Sequence, residues 1–386
     1  MNLLQMLKKA VSKIFWLENP SGFGPPLADQ KAFWERFPSP RDDWERSYFQ
    51  YRCQAFLHGR IWTFLMNCAA AVLLPVYHLY LHRKKPISPQ PCGAALVFSG
   101  QRNIVPHSLE EKYSIIQIKD FQEHLQLNKD DFAYIRKLDR RYPFSFYFRF
   151  KCMVKIAMYS DVISRYSPKA IICSEEYSFT SSMLTDYCQQ RQIEHINFQH
   201  GVKLYYIMDA FFRFDKCYVW DQFSMDLLSA MGADPEQFII EIPPSLRFAD
   251  QASNLERVDY TYYLQAPTPK QLEAIMKNLL ILQKHGAKIA VRPHPMYINE
   301  VKSLYKGLSG FLLEDPRNVS IEQSLLRTNC AISLLSAALI QAAYNGIPIV
   351  IDDVTVPGLY DDLNSRQCTC LKMRHRRLSE LLEVTK

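Results

Sequence analysis

From residue 93 onward, short apolar runs alternate with longer mixed segments, a spacing that predicts strands separated by helices. Ala94–Ser99, Ser114–Ile118, Ala170–Cys173, Glu194–Phe198, Cys217–Trp220 and Phe238–Ile242 predict the strands of a first sheet. Helices are expected over Tyr147–Tyr166 and Ser181–Gln190. Pro243-Pro244-Ser245 and the polar stretch 249–258 then mark a domain boundary. Beyond it the pattern resumes with strand Thr261–Leu264, helix Lys270–Lys284 and strand Lys288–Val291. Strands at Phe311–Leu313, Cys330–Leu334 and Pro348–Ile351 follow. Two successive strand–helix–strand series predict an α/β protein with two doubly wound, Rossmann-like domains, residues 91–248 and 259–386.

The first ninety residues read differently and are expected to form an N-terminal extension. Leu3, Leu4, Leu7, Val11, Ile14 and Phe15 recur at helical spacing, with Lys8, Lys9 and Lys13 among them. An amphipathic helix over Met1–Leu17 is expected, lying on a membrane or on the protein itself. Residues 18–40, rich in proline and glycine, read as an extended linker. Ile61–Leu81 carries no formal charge unless His78 is protonated, and its length approaches that of a membrane span. Asn67, Pro75 and His78 interrupt it, leaving three readings open: a span, an interfacial helix, or a buried helix of a soluble domain. Lys84 and Lys85 beside it would hold that end at an anionic cytoplasmic face.

Composition narrows the class. The 386 residues are 48% hydrophobic and 22% charged, which suits a globular protein of two domains rather than a disordered chain. The net charge of +7, from 46 basic and 39 acidic residues, is concentrated at three places. These are Lys8, Lys9 and Lys13; His82-Arg83-Lys84-Lys85; and Arg374-His375-Arg376-Arg377. Such clusters suit an anionic membrane surface or a phosphate-bearing substrate, and no nucleic-acid-binding module accompanies them. The ten cysteines are scattered, without metal-finger spacing, as in a reduced intracellular chain. No cleavable signal peptide is evident. The expected location is therefore cytoplasmic, peripheral on the inner face of the membrane.

In open parallel sheets, ligands bind at the carboxyl ends of the strands, so the loops there hold the candidate chemistry. Arg292-Pro293-His294-Pro295 follows a strand, and its prolines hold the loop extended. His294 there can donate to a phosphate oxygen, its cation can offset charge on a departing nucleotide, and Arg292 can add a bidentate contact. Ser333-Leu334-Leu335-Ser336 ends the next apolar run, and Ser336 is placed to cap a helix whose free amides suit an anion. Thr268 is expected to cap another helix, with Pro269 at its first position.

R-P-H-P followed by S-x-x-S-A-A-L-I-Q-A-A-Y-N-G-I-P-I-V resembles the carboxyl half of bacterial GT-B glycosyltransferases of surface polysaccharide synthesis, above all the sialyltransferase and Kdo-transferase groups. The resemblance covers roughly residues 170–355. It implies two domains facing each other across the active site and a CMP-activated sialic acid or Kdo-like donor held by His294 and Ser336, with Ser333 beside them and the Thr268 loop facing the donor phosphate. Metal-independent inverting transfer to a lipopolysaccharide or capsule glycan would follow. No cofactor is expected beyond the nucleotide-sugar co-substrate; the acceptor would be a glycan or glycolipid.

The acceptor's hydroxyl needs a base. Cys173-Ser174-Glu175-Glu176-Tyr177 follows a strand and partly matches the family's acidic-acidic-glycine motif, with Tyr177 in place of glycine. Glu175, then Glu176, then His200 in the turn Gln199-His200-Gly201 are the candidates. Tyr205, Tyr206 and Asp209 would follow in a loop able to touch the acceptor, and Asp352-Asp353 would reach a ribose or sugar or simply end a strand. The histidine-glycine turn with R-P-H-P is also similar to polyol-phosphate transferases of teichoic-acid synthesis. That implies an alternative reaction, with a CDP-activated polyol donor. A non-catalytic subunit of a polysaccharide assembly complex is the third reading.

Overall fold

The computed structural model describes residues 23–82, 91–98, 104–118, 125–248, 256–295, 298 and 310–384. The expected helix over residues 1–17 lies outside them. The chain divides into two compact units: residues up to His200 with Tyr206–Glu241, and Gly201–Tyr205 with Ile242–Lys386. The division falls at Glu241, ahead of the polar stretch 249–258.

The first unit runs α1 (Leu27–Trp34), α2 (Asp43–His58), α3 (Arg60–His82), β1 (Ala95–Val97), α4 (His107–Lys112), β2 (Ile115–Gln117), α5 (Lys129–Arg141) and α6 (Phe146–Tyr166). It continues through β3 (Ala170–Cys173), α7 (Ser181–Gln189), β4 (Glu194–Phe198), β5 (Lys216–Val219), α8 (Gln222–Ala230) and β6 (Phe238–Ile240). The strands form one parallel sheet in the order β2-β1-β3-β4-β5-β6. The chain leaves β1 to one side and returns to lay β3 on the other, so the topological switch point lies between them. All four residues of β3 are buried, which explains its unbroken apolar sequence. α6 buries Phe148, Phe150, Met153 and Ile156 against Leu138, Leu184 and Tyr187. It is covered on nearly every side, and Lys151 and Lys155 are buried within it.

The second unit contains β7 (Tyr260–Tyr263), α9 (Pro269–Lys284), β8 (Ile289–Arg292), β9 (Leu312–Leu313), α10 (Ile321–Arg327) and β10 (Ala331–Ser333). Then come α11 (Ala337–Tyr344), β11 (Ile349–Ile351), α12 (Leu359–Ser365), β12 (Arg376–Arg377) and α13 (Leu378–Val384). Its parallel sheet has the order β12-β11-β10-β7-β8-β9, with the switch point between β7 and β10. Val291, Ile332 and Val350 from its strands share a core with Leu272, Leu279 and Leu382.

The N-terminal region departs from expectation. Residues 27–82, the described helical part of the N-terminal extension, pack into the first unit. α1 occupies the stretch read as a linker. Trp34 holds it, with its indole N–H donating to the Met231 carbonyl at 3.1 Å and its ring stacked on Phe211. α2 escapes sequence periodicity because its buried face is partly polar. Ser47, Gln50 and Gln54 are buried beside Phe49 and Cys53. Gln50 Nε2 donates to the carbonyls of Glu176 and Met208, so amide bonds replace part of the apolar stripe.

Candidate functional site

In the first unit β3 and β4 pair with Cys173 opposite Asn197, so the loops that follow them leave the carboxyl edge side by side. Glu175 and Glu176 diverge there, as adjacent residues beyond a strand tend to. Lys155 Nζ lies 2.8 Å from both oxygens of Glu175. Glu176 is fully buried, and one of its oxygens accepts the backbone N–H of His200 at 2.6 Å. The other accepts Asn197 Nδ2 at 3.2 Å, while Asn197 Oδ1 accepts the N–H of Glu175 at 2.8 Å. Asn197 thus ties both loops together, and Glu176 pins the turn whose next residue, Gly201, has φ 65°. The His200 ring is exposed, 5.7 Å from the Tyr177 ring. Among the described residues its ring nitrogens have no hydrogen-bond partner.

Beneath this edge lies a buried polar string. His195 Nε2 is 3.0 Å from the Tyr159 hydroxyl and Nδ1 is 2.8 Å from Thr185 Oγ1. Burial pushes its pKa down to about 3, with the Lys155 charge adding to the effect. The ring is therefore neutral at ordinary pH. Tyr205 and Asp209 are buried too, and the Tyr205 N–H donates to the Arg366 carbonyl at 2.6 Å. They belong to the packed interior of their units, not to an open acceptor loop.

The second unit places its sequence-predicted residues unevenly. β8, β7 and β10 are neighbours, so the loops carrying His294, Thr268 and Ser336 leave adjacent strands at one edge. Thr268 and Gln271 form a reciprocal capping box at the start of α9, and Ser336 Oγ accepts the Ala338 N–H at 3.2 Å to cap α11. Both helices therefore begin beside the switch point. His294 is half-buried, and desolvation lowers its pKa, which favours the neutral ring over the cation, the two forms that the sequence leaves open.

Arg292 keeps its guanidinium engaged within the second unit. It is buried, with Nη1 3.3 Å from Glu314 Oε2 and Nη2 donating to the Val319 carbonyl at 2.9 Å. Arg327 approaches the other oxygen of the same carboxylate at 2.8 Å. Ser333 is likewise interior, its hydroxyl donating to the Tyr263 carbonyl at 2.7 Å across to β7. Asp352 accepts the Tyr262 hydroxyl at 2.6 Å and the amides of Val354 and Thr355, and Asp353 takes the amide and hydroxyl of Ser379. Both are strand-end acids with structural partners.

Sequence reasoning missed Lys155 and Asn197. Lys155 gave one usable signal, a lysine inside a segment apolar on almost every side. Asn197, in a short strand, gave none.

No family model and no curated protein matches the chain. Among solved structures it is similar to a variant of the wall teichoic acid polymerase TagF, at 11% identity over 85% of this chain and 89% of that one, with TM-score 0.47. It is also similar to UDP-GlcNAc 2-epimerase from Methanocaldococcus jannaschii in complex with UDP-GlcNAc and UDP, at 11% identity over 72% and 91%, with TM-score 0.44. A third similarity is to the glycotransferase of kitacinnamycin, at 10% identity over 77% and 90%, with TM-score 0.42.

Proposed function

We propose that the chain is a glycosyltransferase that moves a sugar from a nucleotide-sugar, of the CMP-activated kind, onto a hydroxyl of a glycan or glycolipid. The observation that carries this reading is the convergence at the second sheet's switch point. Two capped helix starts, at Thr268 and Ser336, flank that point, and the His294 loop lies on the adjoining strand. The first-turn amides of a helix and its dipole favour an anion, here the donor phosphate. A neutral His294 donates an N–H to the leaving phosphate oxygen as negative charge develops on it.

In this reading the acceptor oxygen attacks the anomeric carbon and the bond from that carbon to the phosphate oxygen breaks. The electron pair leaves with the phosphate, and the hydroxyl proton passes to a base at the carboxyl edge of the first sheet. His200 is favoured as that base over the two glutamates. Lys155 engages both oxygens of Glu175, and Glu176 spends both of its oxygens on Asn197 and the His200 backbone. No metal is assigned to the reaction, because the helix starts and His294 provide the charge stabilisation. A second reading, transfer of a polyol phosphate from a CDP-activated donor, draws its support from the same exposed His200.

Thermal unfolding with CMP, CDP and UDP tests the proposal. Saturating ligand at a hundred times its Kd adds about 2.7 kcal/mol of stability. CMP or CDP should raise the midpoint. Failure of every nucleotide to do so overturns both transferase readings in favour of a non-catalytic subunit. Label carried into product from a CMP-sugar or from a CDP-polyol separates the two donors.

A further inference from the structure

We propose that the outward face of α3 docks the protein on an anionic lipid bilayer, the helix lying along the membrane surface. The inward face is committed to the protein. Asn67 Oδ1 accepts the Tyr147 N–H at 3.1 Å, while its Nδ2 donates to the Thr63 carbonyl at 2.8 Å. Ala70, Tyr77 and Leu81 are buried in the core of the first unit, with Tyr77 edge-on to Phe150. The outward face is Ile61, Phe64, Leu65, Cys68, Val72, Pro75, Val76 and Leu79, at steps of three and four that place them on one stripe. Ile61 is 79% exposed, Phe64 67% and Val72 69%. No charged side chain lies on the helix between Arg60 and His82, so the stripe runs about 30 Å without one. Single exposed apolar residues need no explanation, but a contiguous stripe of this length needs a partner. Phe144 is 87% exposed and lies three residues before the amide that Asn67 holds.

Length and composition alone would let this helix cross a membrane. Crossing would strip Asn67 of the Tyr147 amide and uncover the core residues that α3 now shields. A second copy of the chain is the other occupant to weigh, and charge decides against it. From Arg46 to Leu109 the sequence holds seven Lys and Arg residues and no Asp or Glu. A two-fold contact along α3 would set this acid-free segment against itself, cation against cation. Anionic headgroups neutralise the same charges while the acyl boundary takes the apolar side chains.

This inference does not depend on the transferase reading. Full-length protein should co-sediment with vesicles of mixed phosphatidylcholine and phosphatidylglycerol at least about tenfold more strongly than with phosphatidylcholine alone, and salt should weaken it. The double variant Phe64→Glu/Val72→Glu alters only outward side chains. It should lose about tenfold or more of that partition while keeping the wild-type unfolding midpoint and nucleotide response. Undiminished vesicle binding by the folded double variant overturns the proposal. So does a wild-type dimer in sedimentation equilibrium that the double variant converts to monomer, with no vesicle binding by either. Should both substitutions unfold the protein, Val72→Lys alone serves, with the same loss expected on vesicles lacking anionic lipid.

Discussion

The carboxyl edges of the two sheets share a parallel topology but dispose of charge in opposite ways. In the first unit charged groups stay at the edge and satisfy one another: Lys155 with Glu175, and Glu176 with Asn197 and the His200 amide. Among the described residues the exposed His200 ring has no hydrogen-bond or ion-pair partner there. In the second unit the charges withdraw, Arg292 to Glu314, Asp352 to Tyr262 and Asp353 to Ser379. Among the described residues, that edge carries two capped helix starts and a half-buried imidazole. The two edges thus differ by where charge has been removed as much as by where it remains.

The sharpest way to break that comparison is at His200. His200→Ala should lower transfer by roughly 100- to 10,000-fold, the usual contribution of a positioned general base, with nucleotide stabilisation unchanged. Glu175→Gln should cost far less. If Glu175→Gln abolishes transfer and His200→Ala does not, the assignment of the base reverts to the acidic pair.

In the second unit, Glu314→Gln should reduce unfolding free energy by about 3–5 kcal/mol in urea titration, because Arg292 and Arg327 then share no buried counter-charge. A loss below ~1 kcal/mol would mean that these guanidinium groups reach solvent or a ligand after all, and Arg292 would return as a phosphate contact. His294→Ala should lower turnover roughly 100- to 1000-fold without changing the unfolding midpoint. A variant keeping more than half of wild-type turnover would remove His294 from the donor site.

The smallest effect, read as a change per pH unit, concerns the string beneath the first edge. His195 has a folded pKa of about 3 against an ordinary 6.5, so the unfolded chain takes up the proton first as pH falls. Its neutral ring contributes fully above pH 6.5, and that contribution drains away between 6.5 and 3. The slope is at most about 1.4 kcal/mol per pH unit. Urea titrations of wild type and His195→Gln across this window should differ in slope, with the wild type steeper. Parallel curves would show that the ring is solvated.

Much of the framework was legible in the chain. Parallel strands covered on both sides need unbroken apolar runs, and Ala170–Cys173 and Ile349–Ile351 fell where those runs lie. Thr268 and Ser336 cap as expected, because a cap is a contact between residues two or three apart. α1 and α2 were missed because tertiary partners hold them, the Met231 carbonyl for Trp34 and the Glu176 and Met208 carbonyls for Gln50.

The sequence by itself determined the α/β class, the alternation of strands and helices, and the loops in which His200, His294 and Ser336 stand. Local rules of burial and capping govern those features, and they act over a few residues. Only the tertiary structure decided what the charged residues do. Arg292 meets a carboxylate 22 positions away, Glu175 an ammonium 20 positions away, and Asp352 a hydroxyl 90 positions away. It also decided that one side of α3 is core and the other bare. Helical spacing divides a helix into faces, but when every face is apolar, only the neighbour that packs against one of them shows which is left over.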